Sequence, residues 1–113
     1  MRKNTSYSRP ASSAFKGAQL NTHLRLQQKY GAADFRELQN GRIRYYGQLV
    51  FARRPGEMLG RRLVREWNPA NGRMRTWHET IDTRGRVRIV RPVSGGPKIH
   101  YLFDKEGNYV GKR

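Results

Sequence analysis

The sequence predicts an α+β domain in which N-terminal helices pack on a four- to five-stranded antiparallel meander sheet. Three observations carry that expectation. Helix-forming residues with a single apolar stripe precede Gly31; runs rich in aromatic and β-branched residues follow Gly41; and turn residues separate those runs at nearly even spacing.

Residues 1–16 are polar and Ser-rich with one Pro, too poor in apolar surface to repay ordering, and read as a flexible linker ahead of a single domain over 17–113. Gly17 to Tyr30 reads as a helix with Leu20, Leu24 and Gln27 on one stripe and Gly31 as its stop. Asp34 suits the N-cap of a second short helix through Phe35 and Leu38, ending near Gly41. Arg42 to Phe51 reads as one strand, and Ala52 to Gly60 as a loop with room for a helical turn after Pro55. Four further strand-like runs follow: RRLVREW, RMRTWHETI, RVRIVRP and KIHYLF. They end in turn chemistry at Asn68–Gly72, Asp82–Gly85, Val93–Pro97 and Asp104–Asn108, and YVGKR closes the chain.

The charge narrows the class of partner. Among 113 residues, Lys plus Arg number 24 and Asp plus Glu 8, a formal net charge of +16. Self-repulsion on that scale opposes compaction and points to a polyanionic partner. Eighteen of the 24 cations are Arg, and no Lys occurs between Lys29 and Lys98. Arginine offers a planar fork for phosphate and a flat face for stacking on bases, a bias that a membrane-surface or solubility role does not need. The absence of Cys excludes disulfides and thiolate metal sites. No apolar run approaches the roughly 20 residues that span a bilayer, and the basic N-terminus lacks the apolar stretch of a signal peptide. A Met1 ahead of an unstructured lead-in suits a domain cut from a longer chain.

Alternation splits each strand into two faces. Arg75, Trp77, Glu79 and Ile81 share one, and Met74, Thr76, His78 and Thr80 the other. In the next run Arg86, Arg88 and Val90 oppose Val87, Ile89 and Arg91; in the last, Lys98, His100 and Leu102 oppose the core trio Ile99, Tyr101 and Phe103. Neighbouring strands of a meander could bring Glu79, Arg88 and His100 onto one surface. A carboxylate, guanidiniums and an imidazole are what metal-free RNA cleavage needs: a base for the 2′-hydroxyl, an acid for the leaving 5′-oxygen, and cations for the phosphate. The acids are few and scattered and no His pair has ligand spacing, so neither a metal nor a cofactor is expected. The plainer readings stand beside this one. Glu79 beside arginines also fits a structural ion pair, and His100 a satisfied histidine at a core edge. His78 faces away from Glu79 and reads as structural or RNA-contacting, and His23 as solvent-facing. Trp67 and Trp77 read as core, and Tyr45 and Tyr46 as one buried and one exposed ring. Arg53, Arg54, Arg61 and Arg62 flank the Pro55 loop and, with Arg75, Arg86 and Lys98, form the expected RNA-binding set.

From Gly41 onward, the segments GRIRYYG, RRPGEMLGRRLVREWNPANGR, TWHETIDTRGRVRIVRP and KIHYLFDKEGNYVGK resemble the C-terminal toxin domains of bacterial polymorphic toxins of the RHS-repeat and contact-dependent inhibition kind. Their order and spacing are similar to a ribonuclease module of the barnase/EndoU/colicin/RelE superfamily. That resemblance covers about two-thirds of the chain. It implies a helical part before a four-stranded sheet, with Glu79 as base, His100 as acid, and Arg88 and Arg91 on the phosphate. It further implies cleavage of RNA, tRNA foremost, in a competitor cell's cytoplasm after delivery by a larger secreted effector, and silencing by an acidic immunity protein. The alternative class is a non-enzymatic basic RNA- or DNA-binding protein, which explains the charge equally well. A transferase toxin is a weaker third, without a nicotinamide-binding pattern to support it.

Overall fold

The computed structural model describes residues 17–29 and 34–113. The linker expected over 1–16 and the helix stop at Gly31 lie outside the described residues. Among these residues one helix, α1 (Ala18–Lys29), precedes eight strands: β1 (Asp34–Glu37), β2 (Ile43–Tyr46), β3 (Val50–Phe51), β4 (Met58–Trp67), β5 (Met74–Asp82), β6 (Val87–Pro92), β7 (Tyr101–Phe103) and β8 (Tyr109–Lys112). Hydrogen bonding orders them β1-β2-β4-β5-β6-β7-β8, with β3 paired to β4 off that path. Among the described residues, the expected architecture of helices on a four- to five-stranded meander is therefore corrected to a single short helix and an eight-stranded, mostly antiparallel sheet.

The second expected helix is where the difference arises. Residues 34–37 alternate between exposed and half-buried and pair with β2 in the register Asp34↔Tyr46 to Glu37↔Ile43. Gly41, at φ +85°, closes the hairpin, with the Leu38 amide donating to the Arg42 carbonyl at 2.8 Å. It is thus a left-handed turn residue rather than a helix stop. One turn of helix has no net stability of its own, whereas a strand gains a ladder and a cross-strand aromatic neighbour.

The chain divides into two compact units. The first holds α1, β1, β2 and the stretch Arg65–Met74. Leu26, Ile43, Tyr45 and Trp67 form its core, with Leu20, Phe35 and Met74 packed around them. The helix stripe runs through Leu20, His23 and Leu26, leaving Leu24 exposed, so the expected Leu20–Leu24 stripe and a solvent-facing His23 are both corrected. His23 is tolerated inside because its Nδ1 lies 2.7 Å from the Tyr45 hydroxyl and its ring meets Phe35 edge-on. Burial lowers the pKa of His23 and raises that of Tyr45. Tyr45 and Tyr46 are both buried, against the expectation of one exposed ring; the Arg36 guanidinium covers Tyr46 at 5.1 Å. Glu66, buried, accepts from Arg42 at 3.3 Å and Arg44 at 2.9 Å.

The second unit holds β3, most of β4 and β5, and β6 to β8, with Val64 and Ile81 buried within it. The run Arg42–Phe51 is thus two strands rather than one, and no helical turn follows Pro55. Strand β3 folds onto β4 as Val50↔Arg61 and Phe51↔Gly60. Only glycine permits this, since a Cβ on Gly60 would sit 2.3 Å from the Val50 carbonyl oxygen. Asp82 closes the β5–β6 turn. Its carboxylate accepts from the Arg84 and Arg86 amides and from Arg86 Nε. Burial alone would raise its pKa, but these donors outweigh burial and hold it at about 2.

Candidate nucleic-acid interface

The side chains that can meet a ligand in the second unit are decided by register. Strand β5 pairs with β6 as Trp77↔Pro92, His78↔Arg91, Glu79↔Val90 and Thr80↔Ile89, and β6 with β7 as Ile89↔Leu102 and Val90↔Tyr101. Paired residues in an antiparallel ladder share a face. One face therefore carries Trp77, Glu79, Val90 and Tyr101. The other carries His78, Thr80, Ile89, Arg91 and Leu102. Reciprocal backbone hydrogen bonds between His100 and Arg113, at 2.9 and 3.0 Å, extend the β7 ladder back by one residue. His100 thus keeps the alternation and falls beside Arg91 rather than on the face of Glu79. The expected grouping of Glu79, Arg88 and His100 is not what the fold brings together.

Glu79 is buried, and both of its oxygens are occupied. Oε1 accepts from Arg62 Nε and Nη2 at 3.3 and 3.2 Å, and Oε2 from the Trp77 indole at 3.0 Å. It serves as an internal counter-ion. Arg88 is likewise engaged. The pairs Thr80↔Ile89 and Ile81↔Val87 leave it as the extra residue of a β-bulge. From there Nε donates to the Phe103 carbonyl at 2.9 Å, and Nη1 to Glu57 at 2.8 Å and Asp82 at 3.5 Å. Arg86 is held by Asp82 at 2.8 Å, and Arg75 lies over the Trp77 ring at 5.8 Å. Of the expected RNA-binding set, Arg53, Arg54, Arg61, Arg75 and Lys98 are exposed, whereas Arg62 is turned inward onto Glu79.

The opposite face has the reverse character. His78 on β5 is paired with Arg91 on β6, and His100, immediately before β7, continues the Ile89↔Leu102 alternation onto the same face; each of the three is half-exposed. The His78 pKa is lowered, first by burial and then by the charges of Arg91 and Arg61. Among the described residues, neither Arg61 nor Arg91 has a carboxylate partner, so their positive charge is unneutralised. Beside them an open cleft of about 330 Å³ is lined by Val50, Phe51, Arg53, Met58, Arg61 and Thr80, with Ala52 and Gly60 completing it. Adjacent strands lie about 4.8 Å apart, so the backbone positions of His78 and His100 are about 10 Å apart with Arg91 between them.

Sequence reasoning singled out Arg91 and His100 but set His78 aside because it faces away from Glu79. The available signal was incomplete: His100 alternates away from the apolar trio Ile99, Tyr101 and Phe103, but Arg91 shares its face with Val87 and Ile89, and the phase between strands was missing. Among the described residues, no group of three or more His, Asp or Glu could hold a metal ion, and no helix is long and apolar enough to cross a membrane. Comparison of the chain with protein-family models, curated proteins and solved structures gave no match.

Proposed function

We propose that this protein binds RNA through its arginine-rich surface and cleaves it by 2′-hydroxyl transesterification at the row His78–Arg91–His100. The observation that supports this best is the cross-strand register, which flanks an unneutralised guanidinium with two imidazoles. His78, its pKa lowered, is neutral near pH 7 and takes the proton of the 2′-hydroxyl. The 2′-oxygen then attacks phosphorus, Arg91 and Arg61 offset the charge that develops on the phosphoryl oxygens, and His100 gives its proton to the departing 5′-oxygen. The products are a 2′,3′-cyclic phosphate and a free 5′-hydroxyl; the step leaves His78 protonated and His100 neutral, and exchange with water then releases the proton from His78 and restores one to His100. DNA lacks the attacking hydroxyl and is bound but not cut by this chemistry.

The test uses the full chain and tRNA in the presence of EDTA. Wild-type protein should leave cyclic-phosphate ends, and His78→Ala and His100→Ala should each lower turnover by about 10²–10⁴-fold with RNA binding nearly intact. Arg91→Ala should weaken binding and turnover together. Wild-type protein that binds tRNA but leaves it uncut between about pH 5 and 8 would refute the catalytic reading in favour of a non-enzymatic nucleic-acid binder.

A further inference from the structure

We propose that the cleft between β3 and β5 is a nucleobase subsite, in which one base of a single-stranded nucleic acid stacks on Phe51 while Arg53 and Arg61 hold its flanking phosphates. The inference rests on the preceding reading of this face as a nucleic-acid interface, and it names how that face takes hold of a base.

Phe51 is 67% exposed and Val50 60% exposed, so the apolar arm they form has no packing role in the described structure. Exposing an aromatic ring on a two-residue strand sacrifices burial, and the chain goes to some length to do so. The arm can lie on β4 only because Gly60 lacks the Cβ that would meet the Val50 carbonyl at 2.3 Å. What the arm creates is a cleft of about 330 Å³, at the small end of the roughly 300–1,000 Å³ of ligand sites. That volume suits a single nucleoside.

The lining matches a nucleotide part by part. Phe51 offers a ring face for stacking, Met58 an apolar floor, Thr80 a hydroxyl for a base edge, and Arg53 and Arg61 two cations at the rim. The lining contains no carboxylate, so neither a cationic ligand nor a basic peptide has a partner there. Thr80 lies two residues along β5 from His78 on the same face, a distance of about 6.7 Å. That separation is close to one nucleotide, which sets the stacked base next to the phosphate held at Arg91. The geometry gives a purely electrostatic surface a contact that depends on the base.

The experiment separates this subsite from cleavage by using a ligand that cannot be cut. A fluorescent 2′-O-methyl RNA hexamer and versions carrying one abasic position, walked along the strand, are titrated into the full chain and followed by anisotropy. Wild-type protein should bind the intact strand about 5- to 150-fold more tightly than the least favourable abasic strand, the range of one base–aromatic stack. Phe51→Ala should erase that difference while leaving affinity for the abasic strand unchanged, and Phe51→Trp should keep it. Because Phe51 is exposed, neither substitution disturbs the core, and an unchanged melting curve verifies this. Equal wild-type affinity for intact and abasic strands, or a Phe51→Ala variant that still discriminates, would overturn the proposal even if RNA is cleaved. Lost cleavage in the histidine variants does not bear on it.

Discussion

Glu79→Ala is the perturbation that most sharply divides a catalytic from a structural carboxylate. In the fold Glu79 is 4% exposed and makes three hydrogen bonds, two from Arg62 and one from the Trp77 indole. Removing one partner of a fully buried pair costs about 3–5 kcal/mol, most of it from the charge left behind. Arg62 retains 24% side-chain exposure and can recover water, which reduces that figure, while the Trp77 N–H loses its acceptor at about 1–3 kcal/mol. The balance is a destabilisation of about 2–4 kcal/mol. For a domain of this size each kcal/mol moves the midpoint by about 4–8 °C, so Tm should fall by about 8–32 °C. Circular-dichroism melting measures this directly, and cleavage is then assayed well below the variant's midpoint. There the variant should retain turnover within a few-fold, whereas His78→Ala should melt close to wild type and be inactive. A Glu79→Ala protein that melts as wild type yet has lost cleavage would refute the assignment of Glu79 as a counter-ion and return it to the reaction.

The pH profile of cleavage should rise at a pH below the ordinary histidine value of 6.5, because burial, Arg91 and Arg61 all disfavour protonated His78; Arg61→Gln should move that limb upward, and an unmoved limb would remove Arg61 from the site. The buried His23 stays neutral in the fold while it protonates in the unfolded chain, so its contribution to stability is complete above 6.5 and is lost as pH falls below that value. Urea midpoints should therefore drop on acidification from about pH 7.5 to 5, and less steeply in His23→Gln; parallel curves would contradict this. With Arg53, Arg54, Arg61 and Arg91 on phosphates, log K for single-stranded RNA should fall with log salt at a slope of about −3, and Arg53→Ala should reduce it by about 0.7. A protective partner should be net-negative, bind rapidly at low salt and compete with RNA for the His78 face; a bound partner that leaves cleavage intact would argue against that surface.

What the sequence made legible was local. The runs RRLVREW, RMRTWHETI and RVRIVRP fall within or across β4, β5 and β6 because alternation and flanking turn residues specify a strand without reference to a partner. Strand β1 carries no such signal, and nothing local separates β3 from β2 within the run Arg42–Phe51. The first strand, four residues long, looks like a capped helical turn until Gly41 directs it against β2, and β3 depends on a missing Cβ in another strand. His23 was read outward because an imidazole counts as polar in any periodic pattern. Its hydroxyl partner, Tyr45, is 22 residues away and visible only in three dimensions.

The site was legible up to a phase. Alternation sorts each strand into two faces, but it does not say which face of one strand adjoins which face of the next, and a slip of one residue exchanges Glu79 for His78. Charge arithmetic supplies part of the missing constraint. A chain with 24 cations and 8 acids must bury some guanidinium-bearing strands, and each buried acid in the fold gathers arginines: Glu66 takes Arg42 and Arg44, Glu79 takes Arg62, and Asp82 takes Arg86 and Arg88. In so basic a chain a carboxylate on a strand is therefore first a neutraliser, and its surroundings become the closed face. The imidazoles that share a face with unneutralised arginines are the groups left open to meet a polyanion. His78 and His100, not Glu79, are the groups so left, and the register of β5, β6 and β7 is what distinguishes them.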